Sequence, residues 1–320
     1  MAAALVGGYV ASVLFSLMVM RLSGEGHAAS VWTANGFLAG MLILLRDRER
    51  TAAIGASIAF QTAMSFWLHG VTPWAVLFSV VNLGEAALIA WLAVRFCGAR
   101  SRRMSMRKLA LVAVVAVAPG AMVGGAIGGV LSAIIDRINL VDAWVGWAVP
   151  GALGAMIVLP PLLLAARADQ FRDFRRSPLE TIGLLALVGV VATAVFAQHQ
   201  LPIYSLLFPL LTLLAFRLGP ALSAGAGFLL TAIALPFTAL GQGPVMLAAG
   251  LDVTNRVRLV QLVVLAAMFT TIATALAVAD QVRLMRLLSV RDRAARQAMA
   301  RARHAERLLS SSSRAALARA

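Results

Sequence analysis

The sequence predicts an all-α membrane protein, a polytopic bundle of about ten transmembrane helices followed by a cytoplasmic helix. Of its residues, 61% are hydrophobic and only 13% are charged, whereas soluble domains have about 25% charged residues. The apolar residues also form long unbroken blocks. A span needs about 20 apolar residues, and continuous blocks of that length cross the bilayer as helices.

The predicted spans follow one another closely, with hydrophilic breaks such as 21–30 and 136–142 between them. Two pairs, the second with the third and the eighth with the ninth, are joined by only a few residues. The ten predicted spans are 4–21, 29–46, 51–69, 73–95, 108–134, 143–166, 179–197, 202–216, 219–240 and 257–280.

The distribution of basic residues predicts the side on which each loop lies. With a cytoplasmic N-terminus, the even-numbered loops and the C-terminal region hold 24 of the 28 basic residues. Five of the six tryptophans then fall at outer ends of spans, where indole rings favour the membrane interface. Both ends of the chain are therefore predicted to be cytoplasmic.

The apolar character ends near residue 280, and a basic helix is predicted to continue the chain over 281–309. It follows the 4-3 spacing of a two-stranded coiled coil, which favours a homodimer. A basic helix lying on anionic lipid is the alternative. Residues 1–280 are then the integral-membrane domain and 310–320 a flexible tail. The seam positions are Leu284, Leu288, Arg291, Ala295, Ala298, Ala302, Ala305 and Leu309.

Glu85 is the most informative single residue, because it lies near the middle of the fourth predicted span, one helical turn after Asn82. A carboxylate at that depth costs a few kcal/mol, so it indicates a functional site; a hydrogen-bonded residue that fixes helix packing is the alternative. Trp32 and Asn35 begin the second span, and Arg217 lies at an inner boundary. These five residues are the candidate ligand-binding or signal-sensing set.

Other polar groups give weaker indications. Three histidines fall at predicted outer ends, and a metal or pH response is one interpretation; solvated loop residues are the favoured one, since no ligand-like spacing occurs. Glycines at four-residue spacing in the fifth span indicate close helix packing. Prolines at 160, 161, 209 and 236 predict interrupted helices. The outer polar set comprises Glu25, His27, His69, Asp136, Asp142, His199 and Asp252.

The sequence contains no pattern that predicts an enzyme. Its only cysteine is Cys97, so no intramolecular disulfide can form. The glycine-rich stretch GGAIGG lacks the lysine and hydroxyl residue of a phosphate loop and lies inside a predicted span. No cofactor is predicted, and the basic residues are explained by loop topology rather than by a nucleic-acid partner.

Several segments together resemble the first family of bacterial membrane-associated sensor domains, the MASE-type input modules. They are VWTANGFLAGMLILL, VVNLGEAALIAWLAVR, GWAVPGALGAMIVLPPLLL, LPIYSLLFPLLTLLAFRLGP and RLVQLVVLAAMFTTIATALAVADQ, which occur in this order over residues 1 to about 282. The resemblance implies a sensory domain placed before a histidine kinase or a diguanylate cyclase. Its polar positions would correspond to Trp32, Asn35, Gly36, Asn82, Glu85 and Arg217.

Three functions are therefore considered. The first is a sensory module of the bacterial inner membrane that detects a small molecule or a membrane partner and passes the signal through its last helix. Because no HExxxP or GGDEF motif occurs in the sequence, the output domain would lie beyond it or in a partner protein. The second is a small secondary transporter with Glu85 as a proton or cation site. The third is a scaffold that recruits a partner through its spans.

Overall fold

The computed structural model describes residues 1–24, 31–174, 177–248 and 250–317, and within them it contains helices and turns without strands. The predicted all-α fold is confirmed. The helices are α1 Ala2–Leu22, α2 Ala34–Leu44, α3 Asp47–His69, α4 Pro73–Phe96, α5 Met106–Leu111, α6 Ala118–Asp136, α7 Leu140–Ala165, α8 Pro178–Phe196, α9 Leu207–Ala239 and α10 Val253–Leu317. A π-helical segment, Val112–Val117, joins α5 to α6, so that Met106–Asp136 is one rod.

Seven helical stretches in the described part of the chain are long and apolar enough to cross a membrane. They are α1, α4, Met106–Asp136, α7, α8, Ile203–Ala239 and the first part of α10. The chain is thus a multi-pass membrane protein. The predicted number of ten and the cytoplasmic position of both ends remain predictions.

The second predicted span, 29–46, differs from the structure. Among its described residues, 31–46, the helix covers Ala34–Leu44, and at 1.5 Å per residue these 11 residues are too short for about 30 Å of hydrocarbon. Neighbouring helices bury eight of the 11 residues of α2. That enclosure explains the short element, because irregular backbone at membrane depth is tolerated only where protein covers it.

The predicted interruptions at proline also differ from the structure. Helix α7 continues through Pro160 and Pro161 without a break. The break in α9 occurs instead at Gly219, which has φ 72° and ψ 178°. This left-handed φ suits glycine alone among common residues, and it separates the eighth predicted span from the ninth.

Helix α7 is central, since it packs against α2, α6 and α9. The predicted role of the glycines in α6 is confirmed. A Cβ atom added at Gly120 or Gly124 would overlap Ile89 or Glu85 of α4, and one added at Gly125 would overlap Ala148 of α7. The glycines therefore allow three helices to meet closely around Glu85.

Consecutive loops lie at alternate ends of the bundle formed by α1 to α7. One end carries a groove that we call the basic groove, lined by Met1, Leu44, Arg100, Ser101, Arg102, Ala166, Arg167, Asp169 and Gln170. These residues come from the N-terminus and from the loops predicted to be cytoplasmic. The other end carries the cavity described in the next section.

The chain divides into two compact units, residues 1–276 and residues 277–320. The second unit is helical to Leu317, and residues 318–320 lie outside the described part. The flexible tail at 310–320 stays a prediction. Leu284 and Leu288 are 61% and 64% exposed. The seam side chains of Ala302, Ala305 and Leu309 fall outside the described side chains.

Candidate functional site

A cavity of about 520 Å³ opens at the end of the bundle opposite the basic groove. Ring-bearing side chains from α4 and α7, with Trp32 just before α2, form much of its wall, so we call it the aromatic cavity. Its lining residues are Leu17, Met20, Trp32, Gln61, Ser65, Thr72, Trp74, Ala75, Phe78, Asn82, Ser132, Ile135, Asp136, Ile138, Asp142, Ala143, Gly146, Trp147, Pro150 and Gly151.

Glu85 lies behind this wall and is 2% exposed. The indole N–H of Trp147 donates a hydrogen bond of 3.2 Å to Glu85 Oε2, and the Trp147 ring is stacked on Phe78 with 5.3 Å between ring centroids. The other carboxylate oxygen, Oε1, is close to the backbone of Gly151, where a Cβ atom would lie 2.8 Å from it. One wall residue of the cavity therefore holds the buried carboxylate directly.

Trp32 makes the matching contact with Asn35. Its indole N–H donates to Asn35 Oδ1 at 3.1 Å, and Asn35 is fully buried. The close approach depends on Gly154 of α7, because a Cβ atom there would overlap the Trp32 carbonyl group. A second cavity wall residue thus reaches a second buried polar side chain.

We call Asn35, Asn82 and Glu85 the polar cluster. The Asn35 amide faces the Glu85 carboxylate, yet within the described residues Asn35 Nδ2 and Glu85 Oε1 have no well-formed hydrogen bond. Asn82 donates from Nδ2 to the Phe78 carbonyl at 3.0 Å, and its Oδ1 has no partner. Buried polar atoms are nearly always hydrogen-bonded, so the unpartnered Asn82 Oδ1, on a residue that lines the cavity, indicates a place that accepts another group.

The structure brings four of the five predicted site residues together. Trp32 and Asn82 line the cavity, while Asn35 and Glu85 lie behind its wall. Arg217 does not join them: it forms an ion pair with Glu180 of α8, with 2.5 Å between Arg217 Nη2 and Glu180 Oε1. The two residues are 37 positions apart on different helices, so spacing along one helix does not predict their contact.

The residues of the outer polar set are dispersed in the structure or lie outside its described residues. Glu25 and His27 lie outside the described residues, and His199 is exposed. Within the described residues, no group of three histidine, cysteine, aspartate or glutamate side chains is placed to hold a metal ion. Asp136 and Asp142, in contrast, both line the aromatic cavity.

Sequence reasoning missed two residues that matter here. Trp147 is one of the five tryptophans predicted at outer ends of spans, and that prediction implies no bond to Glu85. Tyr9, fully buried, donates to Gln61 Oε1 at 2.5 Å and so fixes a cavity wall residue. A signal existed for Trp147: the Gly124 and Gly128 series marks where bulky neighbours fit, and a Cβ atom at Gly128 would overlap the Trp147 ring.

Comparison with known proteins identifies the family. The MASE1 family model matches residues 1–283, which is most of the chain and all of its first unit. The chain belongs to the MASE1 family of membrane-associated sensor domains. The resemblance seen in the sequence is confirmed. Searches of curated proteins and of solved structures found no match.

The MASE1 domain is a membrane sensory domain and not a catalytic family. Together with the multi-pass helical fold, membership accounts for the apolar composition and implies contact with the lipid bilayer. The stimulus and the output belong to the proposals that follow.

Proposed function

We propose that this MASE1 domain is the sensory input module of a signalling protein in the bacterial inner membrane, and that a small molecule is detected in the aromatic cavity. One observation carries the proposal. Two indole groups that line the cavity, Trp32 and Trp147, each donate through its wall to a buried polar side chain, Asn35 and Glu85 respectively. A ligand that moves either ring changes the hydrogen bonding of the polar cluster.

The change can spread through packed side chains. Val31, next to Trp32, belongs to a hydrophobic core that also contains Val257, Val260 and Val264 of α10. Displacement of Trp32 therefore moves Val31 and disturbs the hydrophobic core in which the membrane part of α10 packs. A signal needs such an element with two arrangements that the ligand binds unequally.

The output follows from the chain beyond this core. We propose that α10 passes the change to residues 281–309, which pair in a homodimer and control a histidine kinase or diguanylate cyclase output, in the same chain or in a partner. The 4-3 spacing that includes Leu284 and Leu288 supports the pairing, because such an apolar stripe is the surface that a coiled coil buries. Both side chains are exposed in the single chain, as are all the described side chains of 281–301.

Cysteine cross-linking in native membranes tests the proposal. With Cys97 replaced by serine, single cysteines at Leu284 or Leu288 should form a disulfide-linked dimer. Adding Glu85→Gln or Trp147→Phe should change the cross-linking rate about twofold or more, because the two states shift in population. Trp91→Phe is the matched control, since Trp91 is exposed on α4 away from the cavity. No dimer at either position, or equal rates in all variants, would contradict the proposal.

A small secondary transporter is the second candidate. The short, enclosed α2 beside a buried carboxylate favours it, because broken helices and membrane carboxylates form transporter sites. Uptake by proteoliposomes that Glu85→Gln abolishes, with cross-linking unchanged, would support transport over sensing.

A further inference from the structure

The charge of the aromatic cavity is opposite to that of the chain. The protein has 28 basic and 13 acidic residues, yet the charged side chains that line the cavity, among the described residues, are Asp136 and Asp142 alone. The nearby guanidinium of Arg21 lies over the Trp67 ring, 4.7 Å from its centroid, and neither residue lines the cavity. An anionic ligand would meet only carboxylates here.

The apolar part of the lining is aromatic. Trp32, Trp74, Phe78 and Trp147 all line the cavity, and Phe78 and Trp147 stack on each other. The face of an indole ring carries partial negative charge, so it attracts a cation placed within about 6 Å of the ring centroid. Several indoles around one volume are the arrangement that holds quaternary and other organic ammonium groups.

The polar part of the lining offers acceptors. Asn82 is 4% exposed and lines the cavity. Its amide nitrogen is already used by the Phe78 carbonyl, whereas its Oδ1 has no partner. A ligand with a donor group would satisfy this buried oxygen, and leaving it unsatisfied has a cost. This acceptor points to a ligand independently of the two aspartates.

We infer that the aromatic cavity binds an organic cation, a substituted ammonium compound with an apolar or aromatic body. Its positive group lies among the indole rings and near the carboxylates of Asp136 and Asp142. The volume of about 520 Å³ is in the range of small-molecule sites. The inference deepens the proposed sensory function, because it names the chemical class detected at the same cavity.

Three probes of similar size test the inference on the full chain in lipid nanodiscs. They are benzylammonium, benzyl alcohol and benzenesulfonate, which are positive, neutral and negative, compared at equal ionic strength. Intrinsic tryptophan fluorescence reports binding. The cation should give a saturable change with an affinity at least about tenfold above the other two. Equal or tighter binding of the neutral or anionic probe would overturn the inference.

Matched substitutions locate the binding. Trp74→Leu should weaken the cation about fivefold or more, whereas Trp91→Leu, which changes an exposed indole on the same helix, should not. Asp142→Asn should weaken it about threefold, and Glu49→Gln, which removes an exposed carboxylate at the opposite end, should not. The apparent Tm of each variant shows that it is folded. Identical affinities within either pair would place the cation elsewhere and overturn the inference.

The two proposals fail in different ways. If the cation binds but the cross-linking at positions 284 and 288 is unchanged, the proposed sensory function is contradicted and the organic-cation ligand is supported. If cross-linking responds to Glu85→Gln but no selective cation binding occurs, the proposed sensory function is supported and the organic-cation ligand is contradicted.

Discussion

The aromatic cavity and the basic groove lie at opposite ends of the same bundle and treat their polar groups in opposite ways. In the basic groove, Arg100 donates to the carbonyls of Leu42 and Ile43, which end α2. At the aromatic cavity, the buried Oδ1 of Asn82 has no partner within the described residues. Hydrogen-bonded polar groups stabilise the folded state. A buried polar group without a partner destabilises it, and a ligand that supplies the partner removes that destabilisation.

Arg167 shows the closed end most fully. It donates to Ser101 and Leu163 carbonyls at 2.8 and 2.7 Å and also to the Ala99 carbonyl, so it ties the loop after α4 to the end of α7. Burial lowers the pKa of this guanidinium, but an arginine stays protonated at any physiological pH. The difference between the ends therefore predicts that loss of a hydrogen-bonded polar group lowers stability, whereas loss of a polar atom without a partner costs little.

The largest effect is expected where the cavity wall depends on close backbone approach. Gly154→Ala should destabilise the protein by about 3 kcal/mol, because the new Cβ would overlap the Trp32 carbonyl and the start of α2 must move. Gly146→Ala on the same helix meets open space and serves as the control. Thermal unfolding of the purified protein measures both, and equal Tm values would show that α2 is not held in this way.

Arg167→Ala should have the next largest effect, a loss of about 2 to 3 kcal/mol, since three carbonyl groups lose a charged donor. Arg102→Ala should change stability by less than about 0.5 kcal/mol, because Arg102 lines the same groove but is exposed. The apparent Tm of each variant is the readout. A similar Tm for both would contradict the view that hydrogen bonds, and not charge, close this end.

Substitutions of two buried amide side chains that line the aromatic cavity should differ by a smaller amount in their effect on the free energy of unfolding. Gln61→Leu should cost about 1 to 3 kcal/mol, because the buried Tyr9 hydroxyl loses its acceptor. Asn82→Leu should cost less than about 1 kcal/mol, because its Oδ1 has no partner to lose. Unfolding in a denaturant series compares the two. A larger loss for Asn82→Leu would show that this oxygen is already satisfied.

The smallest perturbation uses the native thiol. Cys97, just after α4, is 2% exposed, and burial raises the pKa of its thiol. Its thiolate fraction at pH 8 is therefore below that of an ordinary cysteine, and maleimide should label it slowly, with a rate that keeps rising at higher pH. In a Cys97→Ser protein, Ser132→Cys in the cavity wall should label faster. Faster labelling of Cys97 would show that the basic end is open.

Sequence reasoning predicted the helices well because each span is a one-dimensional pattern. Hydrophobic blocks and loop charge mark the ends of α4 and α7 without any knowledge of packing. The length of α2 could not be predicted, because its apolar residues have the pattern of a transmembrane span. A helix of 11 residues is stable there because other helices enclose it.

The candidate site was predicted in part for the same reason. Glu85 and Asn82 stand out because polar groups are rare at that depth, and their spacing places them on one helical face. The bond from Trp147 to Glu85 joins residues 62 positions apart, and a rule based on spacing along one helix cannot reach it. The ion pair of Arg217 with Glu180 could not be predicted in the same way, because Glu180 is on another helix.

The π-helical segment Val112–Val117 has a consequence for how this protein tolerates changes in length. Each π turn holds one residue more than an α turn while the flanking helices keep their facing. Val114 is 69% exposed within the segment, so deleting it should leave an ordinary α-helix that still presents Gly120 and Gly124 to α4. A one-residue deletion here should be tolerated, whereas the same deletion two turns later would rotate the glycine face by about 100° and separate the helices.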